Sequence, residues 1–275
     1  METFVSKILS IFTKDLDQGK AIIVFSLVMI RMILIVNLVP FLGSKNAPGP
    51  FKMGFSILLT FLMWPMVIAN LHGPIPDSMG YYVVMMLKEA FIGFTIGFVT
   101  NKIFYAVEMS GQLIDVFRGT NQVQLMIPEL QERSSAYGTM YYQLMIVLFL
   151  AADLHVIFFH GLAQSFIAVP VNTFPAMSRG TSTFFDFVSH LLPNIFLIAV
   201  TLALPVAAVC FIIDVAFGLM NRIAPQINAY FMAMPAKALG GVVISFAALS
   251  MTLTQFGHFS RQMLEQLLQL IELFR

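Results

Sequence analysis

Apolar residues run along this chain in six long stretches, about 21–43, 53–71, 81–105, 137–169, 187–219 and 229–256. Each is interrupted in its interior by a few polar, glycine or proline residues. A bilayer-crossing helix needs roughly 20 mostly apolar residues, and every stretch meets or approaches that. The runs are continuous rather than alternating with period two, which predicts helices and argues against a β-barrel. A charge in hydrocarbon costs at least ~2.5 kcal/mol on insertion scales. Arg31, the adjacent Lys88 and Glu89, Asp153 and Asp214 lie inside the stretches and must therefore face protein, water or one another. The pattern predicts an all-α membrane protein of long, broken helices. Pro65 and Pro205 are the expected kinks, because each removes a backbone hydrogen bond.

Composition narrows the class further. Hydrophobic residues make up 59% of the chain and charged residues 11%, with a mean hydropathy of +0.86. A soluble domain would have far too little polar surface. The net charge of +1 offers no nucleic-acid-binding surface. A lone Cys210 excludes an internal disulfide and reads as packing in an apolar helix. Residues 1–20 carry Lys7, Lys14, Asp15, Asp17 and Lys20 and no cleavage-type motif, so no cleavable signal is expected. Within them, 3–12 form an apolar patch suited to an interfacial helix. Lys45, Lys52, Lys102, Arg118, Arg133, Arg222 and Lys237 fall in alternate loops, against Arg179 alone in the others, which places the first set in the cytoplasm. Both termini then lie on the far side, although three lysines at the amino end argue the other way.

Five features bear on chemistry. The four-residue spacing of Gly93 and Gly97 puts both on one helix face, where another backbone can approach closely, inside the subunit or from a companion. The connection 108–136 is the least hydrophobic internal segment, and on composition alone it is a solvated loop. Around 218–240, Arg222, Gln226, Asn228 and Lys237 cluster between two apolar helices that Pro225 and Pro235 are expected to break. A plain cytoplasmic turn accounts for those cations. Asp153, His155 and His160 stand near one another in sequence, but their spacing spreads them over different helix faces, and no metal site is expected. Lys88 and Glu89 are neighbours that point different ways, so an intrahelical pair is not expected; Glu89 can meet Arg31 across helices.

Separated motifs carry a family resemblance. Arg31 is followed by Pro40-Phe41-Leu42-Gly43, Ala47-Pro48 and Lys52. Glu89-Ala90-Phe91-Ile92-Gly93-Phe94-Thr95-Ile96-Gly97-Phe98 continues to Ala106-Val107-Glu108, Gly111-Gln112-Leu113-Ile114-Asp115 and Gly119. Leu148-Phe149-Leu150 leads through His155 to Ser165-Phe166 and Pro170. Ala203-Leu204-Pro205 precedes Asn221-Arg222-Ile223-Ala224-Pro225-Gln226-Ile227-Asn228 and Met234-Pro235-Ala236-Lys237. In that order and spacing, over about residues 20–260, the chain resembles the FliR/SctT family, the export-gate subunit of flagellar and virulence type III secretion systems. Ile127-Pro128 stands where flagellar members usually have Asp-Pro, and Leu154-His155 where they have Gly-His, which leans the resemblance towards the virulence branch.

The resemblance implies more than the residues do alone. It implies that Asp115, Arg118, Gln122, Gln124, Leu125, Met126, Ile127 and Pro128 belong to a loop that folds into an export channel and helps to close it, with the apolar members as a deformable plug. It casts Arg222, Pro225, Gln226, Asn228, Pro235 and Lys237 as a cytoplasmic gate hairpin similar to the turn of FliQ/SctS. The implied organisation is an amino-terminal segment at 1–20, a FliP/SctR-like helical part at 21–186, and a FliQ/SctS-like hairpin with a carboxy-terminal helix at 187–275. Implied partners are FliP/SctR-like and FliQ/SctS-like subunits, the FlhB/SctU-like switch protein and unfolded secreted proteins in passage, in the bacterial inner membrane within the secretion-system base. Because the family's complex stands largely out of the membrane plane, six apolar stretches need not mean six crossings.

Three functions then compete. A non-enzymatic, cofactor-free channel subunit fits best, with energy from companion proteins, since no nucleotide-binding loop occurs. A polytopic secondary transporter or small-solute channel would use broken helices and midplane charges, but the halves show no inverted repeat. An intramembrane enzyme lacks any Ser/His, paired-Asp or metal constellation at suitable spacing.

Overall fold

A computed structural model describes residues 18–43, 47–71, 78–120, 135–175, 181–226 and 228–274. Gln122, Gln124, Leu125, Met126, Ile127 and Pro128, like the amino-terminal segment to residue 17, lie outside the described residues. Eight helices account for nearly all of those described: α1 Gln18–Leu38, α2 Gly49–Ala69, α3 Met79–Phe117, α4 Ala136–Ala151, α5 Leu154–Ala168, α6 Thr181–Ile223, α7 Ala229–Ala247 and α8 Leu249–Phe274. No strand occurs among the described residues.

Five of the helices, α1, α2, α3, α6 and α7, are long and apolar enough to cross a membrane. The broken pair α4–α5 makes a sixth candidate if it counts as one span, so the protein is multi-pass. Two of the expected stretches are divided. The run 137–169 bends by 77° between α4 and α5, at Asp153, which adopts left-handed backbone (φ 55°) and caps α5. The run 229–256 is split at Ala248 between α7 and α8.

Of the two prolines expected to break a helix, Pro225 follows the end of α6 at Ile223, whereas Pro235 does not interrupt α7. Pro65, Pro205 and Pro235 all lie inside continuous helices, as does Pro193. One missing N–H leaves the rest of the ladder intact, and an apolar setting offers the chain no better alternative. Buried hydroxyls obey the same constraint. Ser56, Thr60, Thr95, Thr100, Ser245 and Ser260 each donate to the carbonyl one turn back in their own helix.

The chain divides into two compact units, each discontinuous in sequence. One comprises Met1–Asn101, Asp153–Val188 and Gln262–Arg275. In it α1 packs on α2, and α2 touches α5. Helical spacing selects the core: Val24, Val28, Met32 and Val36 from α1, Ile92 and Ile96 from α3, and Phe158, Leu162 and Phe166 from α5. The other unit comprises Lys102–Ala152 and Ser189–Arg261. Its core joins Phe104 to Phe149 and Tyr141 to Phe256 through edge-on aromatic contacts, with Leu202, Val206 and Cys210 buried from α6.

Candidate functional site

The first unit buries three charges together. Arg31 on α1 and Glu89 on α3 are both fully inaccessible, and Lys88 nearly so. Arg31 meets the Glu89 carboxylate with two nitrogens, Nε at 2.5 Å and Nη2 at 3.0 Å. Its remaining donors reach the Ser165 carbonyl and hydroxyl, both at 3.2 Å, and the Val169 carbonyl at 3.1 Å. The guanidinium also lies 4.1 Å over the Phe166 ring. Lys88 and Glu89 were expected to diverge, but Lys88 Nζ lies 2.6 Å from Glu89 Oε1. The four-carbon lysine stem is long enough to curl back when burial removes water as an alternative. Lys88 also donates to the carbonyls of Pro170, Val171 and Thr173.

This group can exist in an apolar interior because two cations meet one carboxylate and the carbonyl end of α5. The last carbonyls of a helix lack intrahelical donors and carry the negative end of its dipole. Gly93 makes the approach possible: a β-carbon there would lie 2.7 Å from the Arg31 carbonyl oxygen. At Gly97 it would lie 2.8 Å from Leu38. The Gly93–Gly97 face therefore packs on α1 within the chain.

Asp153 and Asp214, grouped by sequence with the buried charges, are exposed on the chain. Asp153 makes no side-chain cap bond to α5. Asp214 pairs with Lys237 at 2.9 Å across α6 and α7.

In the second unit, α3 runs past the apolar stretch to Phe117 and ends with Gly119 at φ 79°. Asp115 therefore sits in the last turn of α3 rather than in an open loop. Its Oδ2 accepts from Ser135 Oγ at 2.6 Å and from the Tyr137 amide at 3.1 Å. Ser135 caps α4 by accepting from the Gly138 amide. A carboxylate at that amino terminus is favoured by the helix dipole. Arg118 stacks on Tyr137 at 4.6 Å and donates to the Ala238 carbonyl of α7 at 3.1 Å. Ser135 and Tyr137 were missed by sequence reasoning, the one available signal being Ser135 just before an apolar run, while Ser165 stood only in the motif that carries the resemblance.

The hairpin residues do not form one group. Arg222, Pro225, Gln226 and Asn228 are exposed at the α6–α7 turn, where Asn228 caps α7 by accepting from the Phe231 amide. Pro235 is exposed on α7 itself. Lys237 is buried about 12 Å further along α7, by the helical rise from Ala229. Large apolar side chains stand exposed along both helices, among them Phe196, Leu204, Phe211 and Ile212 on α6 and Leu239, Val243 and Phe246 on α7. Contiguous apolar surface of this kind requires lipid or a protein partner.

Residues 22–263 match the family described as Bacterial export proteins, family 1. The flagellar biosynthetic protein FliR of Bacillus subtilis (strain 168) is 26% identical over 226 residues, covering 82% of this chain and 84% of its own. FliR of Caulobacter vibrioides is 28% identical over 235 residues, covering 83% and 88%. The Yop proteins translocation protein T of Yersinia pestis is 27% identical over 253 residues, covering 91% and 93%.

Proposed function

The chain belongs to the bacterial export proteins, family 1, and from that premise we propose that it is a subunit of a type III secretion export apparatus, forming and gating the entry channel for unfolded secreted proteins. The observation that carries this reading is the extent of the similarity: relatives named for flagellar biosynthesis and for Yop translocation both align with most of the chain and most of themselves. Those names argue against the solute-transporter alternative. Its place is the bacterial inner membrane, beside FliP/SctR-like and FliQ/SctS-like subunits and the FlhB/SctU-like switch protein. The apolar surface left open on α6 and α7 supports such neighbours.

Within this reading, residues 21–186 form a FliP/SctR-like part and 187–275 a FliQ/SctS-like hairpin with its carboxy-terminal helix. The segment from Asp115 to Pro128 closes the channel, with Leu125, Met126 and Ile127 as its apolar plug, and the hairpin that carries Arg222 to Lys237 is the cytoplasmic gate. Deleting the gene in its host should abolish export of type III substrates while general secretion continues; undiminished export would refute the assignment. Co-expression with the FliP/SctR-like and FliQ/SctS-like proteins should give one defined complex, whereas a stable, monodisperse monomer alone would oppose it. Met126→Gly should leave that complex intact and raise ion leakage across the membrane; unchanged conductance would remove the plug assignment and leave the family reading standing.

A further inference from the structure

The carboxyl end of α3 and the amino end of α4 are tied to each other and, separately, to α7, and the second tie runs through one side chain. Asp115 joins the two ends by accepting from Ser135 and Tyr137. Behind them Gly111 lies so close to the Tyr137–Gly138 backbone that a β-carbon has no room. Arg118 makes the other link, with its guanidinium over the Tyr137 ring and a hydrogen bond to the Ala238 carbonyl. Its stem crosses α7 at Gly241, where a β-carbon would fall 2.6 Å from Arg118 Cδ and 2.7 Å from Cγ. Gly241 is thus a notch that the arginine fills.

The local sequence does not force this placement. Asp115, in the last turn of α3, and Arg118, one residue past its end, are three residues apart, the spacing of a close ion pair. Yet Arg118 Nη1 stands 3.6 Å from Asp115 Oδ1, and that oxygen and Arg118 Nε are both buried without a hydrogen bond. Buried polar atoms left unmatched are costly. Arg118 keeps this loose ion pair, but its hydrogen bond goes to the α7 carbonyl and its stem to the notch.

We propose that Arg118 is a positioning residue, keyed into the Gly241 notch, that makes the facing ends of α3 and α4 follow α7. A displacement of α7 withdraws the Ala238 carbonyl, and with it the anchor that holds the Arg118 guanidinium over Tyr137 at the start of α4. This inference goes beyond the export reading and does not depend on it.

Hydrogen exchange on the full-length protein tests it. A glycine-to-alanine change in a helix ordinarily tightens that helix. Here Gly241→Ala should instead speed exchange at 112–118 and 136–140 by about tenfold, the scale of one lost charge-assisted hydrogen bond. Arg118→Ala should do the same, and the double variant should show no further acceleration, because both changes remove one contact. Unchanged exchange at the α3 and α4 ends in Gly241→Ala, or effects that multiply in the double variant, would overturn the proposal. Should Gly241→Ala fail to accumulate, Arg118→Lys and Arg118→Met decide. Lysine keeps a cation able to reach the Ala238 carbonyl but not the planar stack on Tyr137 and should accelerate exchange clearly less than methionine, which loses the hydrogen bond as well and should accelerate it about tenfold. A methionine variant as protected as the parent would reduce Arg118 to packing and end the idea.

Discussion

Replacing Glu89 by Gln removes one charge at nearly constant shape and tests whether the buried cluster holds the first unit together. The carboxylate has three charge-assisted contacts, with Arg31 Nε at 2.5 Å, Arg31 Nη2 at 3.0 Å and Lys88 Nζ at 2.6 Å. Individually such bonds contribute about 1.5–3 kcal/mol. The cations are not stripped bare by the change, since Arg31 keeps Ser165 and Val169 and Lys88 keeps three carbonyls. Glutamine can still accept through one oxygen, but its amide donors face donors. The net loss should therefore fall near that of breaking a buried pair from one side, about 3–5 kcal/mol. Trp64, the only tryptophan, is buried on α2 against Phe25 and reports on this unit by fluorescence. Titrating detergent-solubilised protein from a mild detergent into SDS should shift the Trp64 transition to much lower SDS. Arg31→Met with Glu89→Gln should cost clearly less than the two singles summed, because each single strands the other's partner. A Glu89→Gln protein within about 0.5 kcal/mol of the parent, or strict additivity, would refute the reasoning.

Two further changes probe the backbone. Gly93→Ala should destabilise by about 1–3 kcal/mol, partly offset by the roughly 1 kcal/mol helix preference of alanine, because its β-carbon meets the unyielding Arg31 backbone; Gly54→Ala, with nothing within 4 Å, should be neutral or better in the same SDS titration. Asp153→Gly should leave stability unchanged or raised, while Asp153→Val should cost about 1–2 kcal/mol, since a β-branched residue resists φ 55° and the aspartate makes no cap bond to lose; equal behaviour of the two variants would show that the bend does not rest on that residue.

What the sequence made legible follows from what hydropathy measures. Arg31 and Glu89 were recognisable as a possible pair because a buried charge must find its opposite, and motif spacing placed both in apolar runs. The role of Lys88 was hidden because its acceptors are backbone carbonyls at 170, 171 and 173, brought within reach only by the course of α5. The left-handed turn at Asp153 was marked in sequence only by a charge inside an apolar run. Pro235 was read too strongly as a break, since α7 runs through it, whereas Pro225 does follow the end of α6. Conversely, Gly241 carries no signal in sequence, since its use lies in Arg118, 123 positions away.

Helix length shows the same limit from another side. The apolar stretch 81–105 would fill a bilayer core, yet α3 continues to Phe117 over 39 residues, about 58 Å at the helical rise. A hydrocarbon core is only about 30 Å thick, so roughly half of α3 must lie beyond it unless the helix tilts steeply. Tyr105, Val116 and Phe117 are nonetheless exposed on the chain towards that end. Helix α6 repeats the situation at 43 residues, with exposed apolar side chains from Phe185 to Ile223. Lipid alone cannot cover apolar surface spread over twice its own thickness. Protein has to cover the remainder, and this is the physical reason to expect the chain to work as one part of a larger assembly.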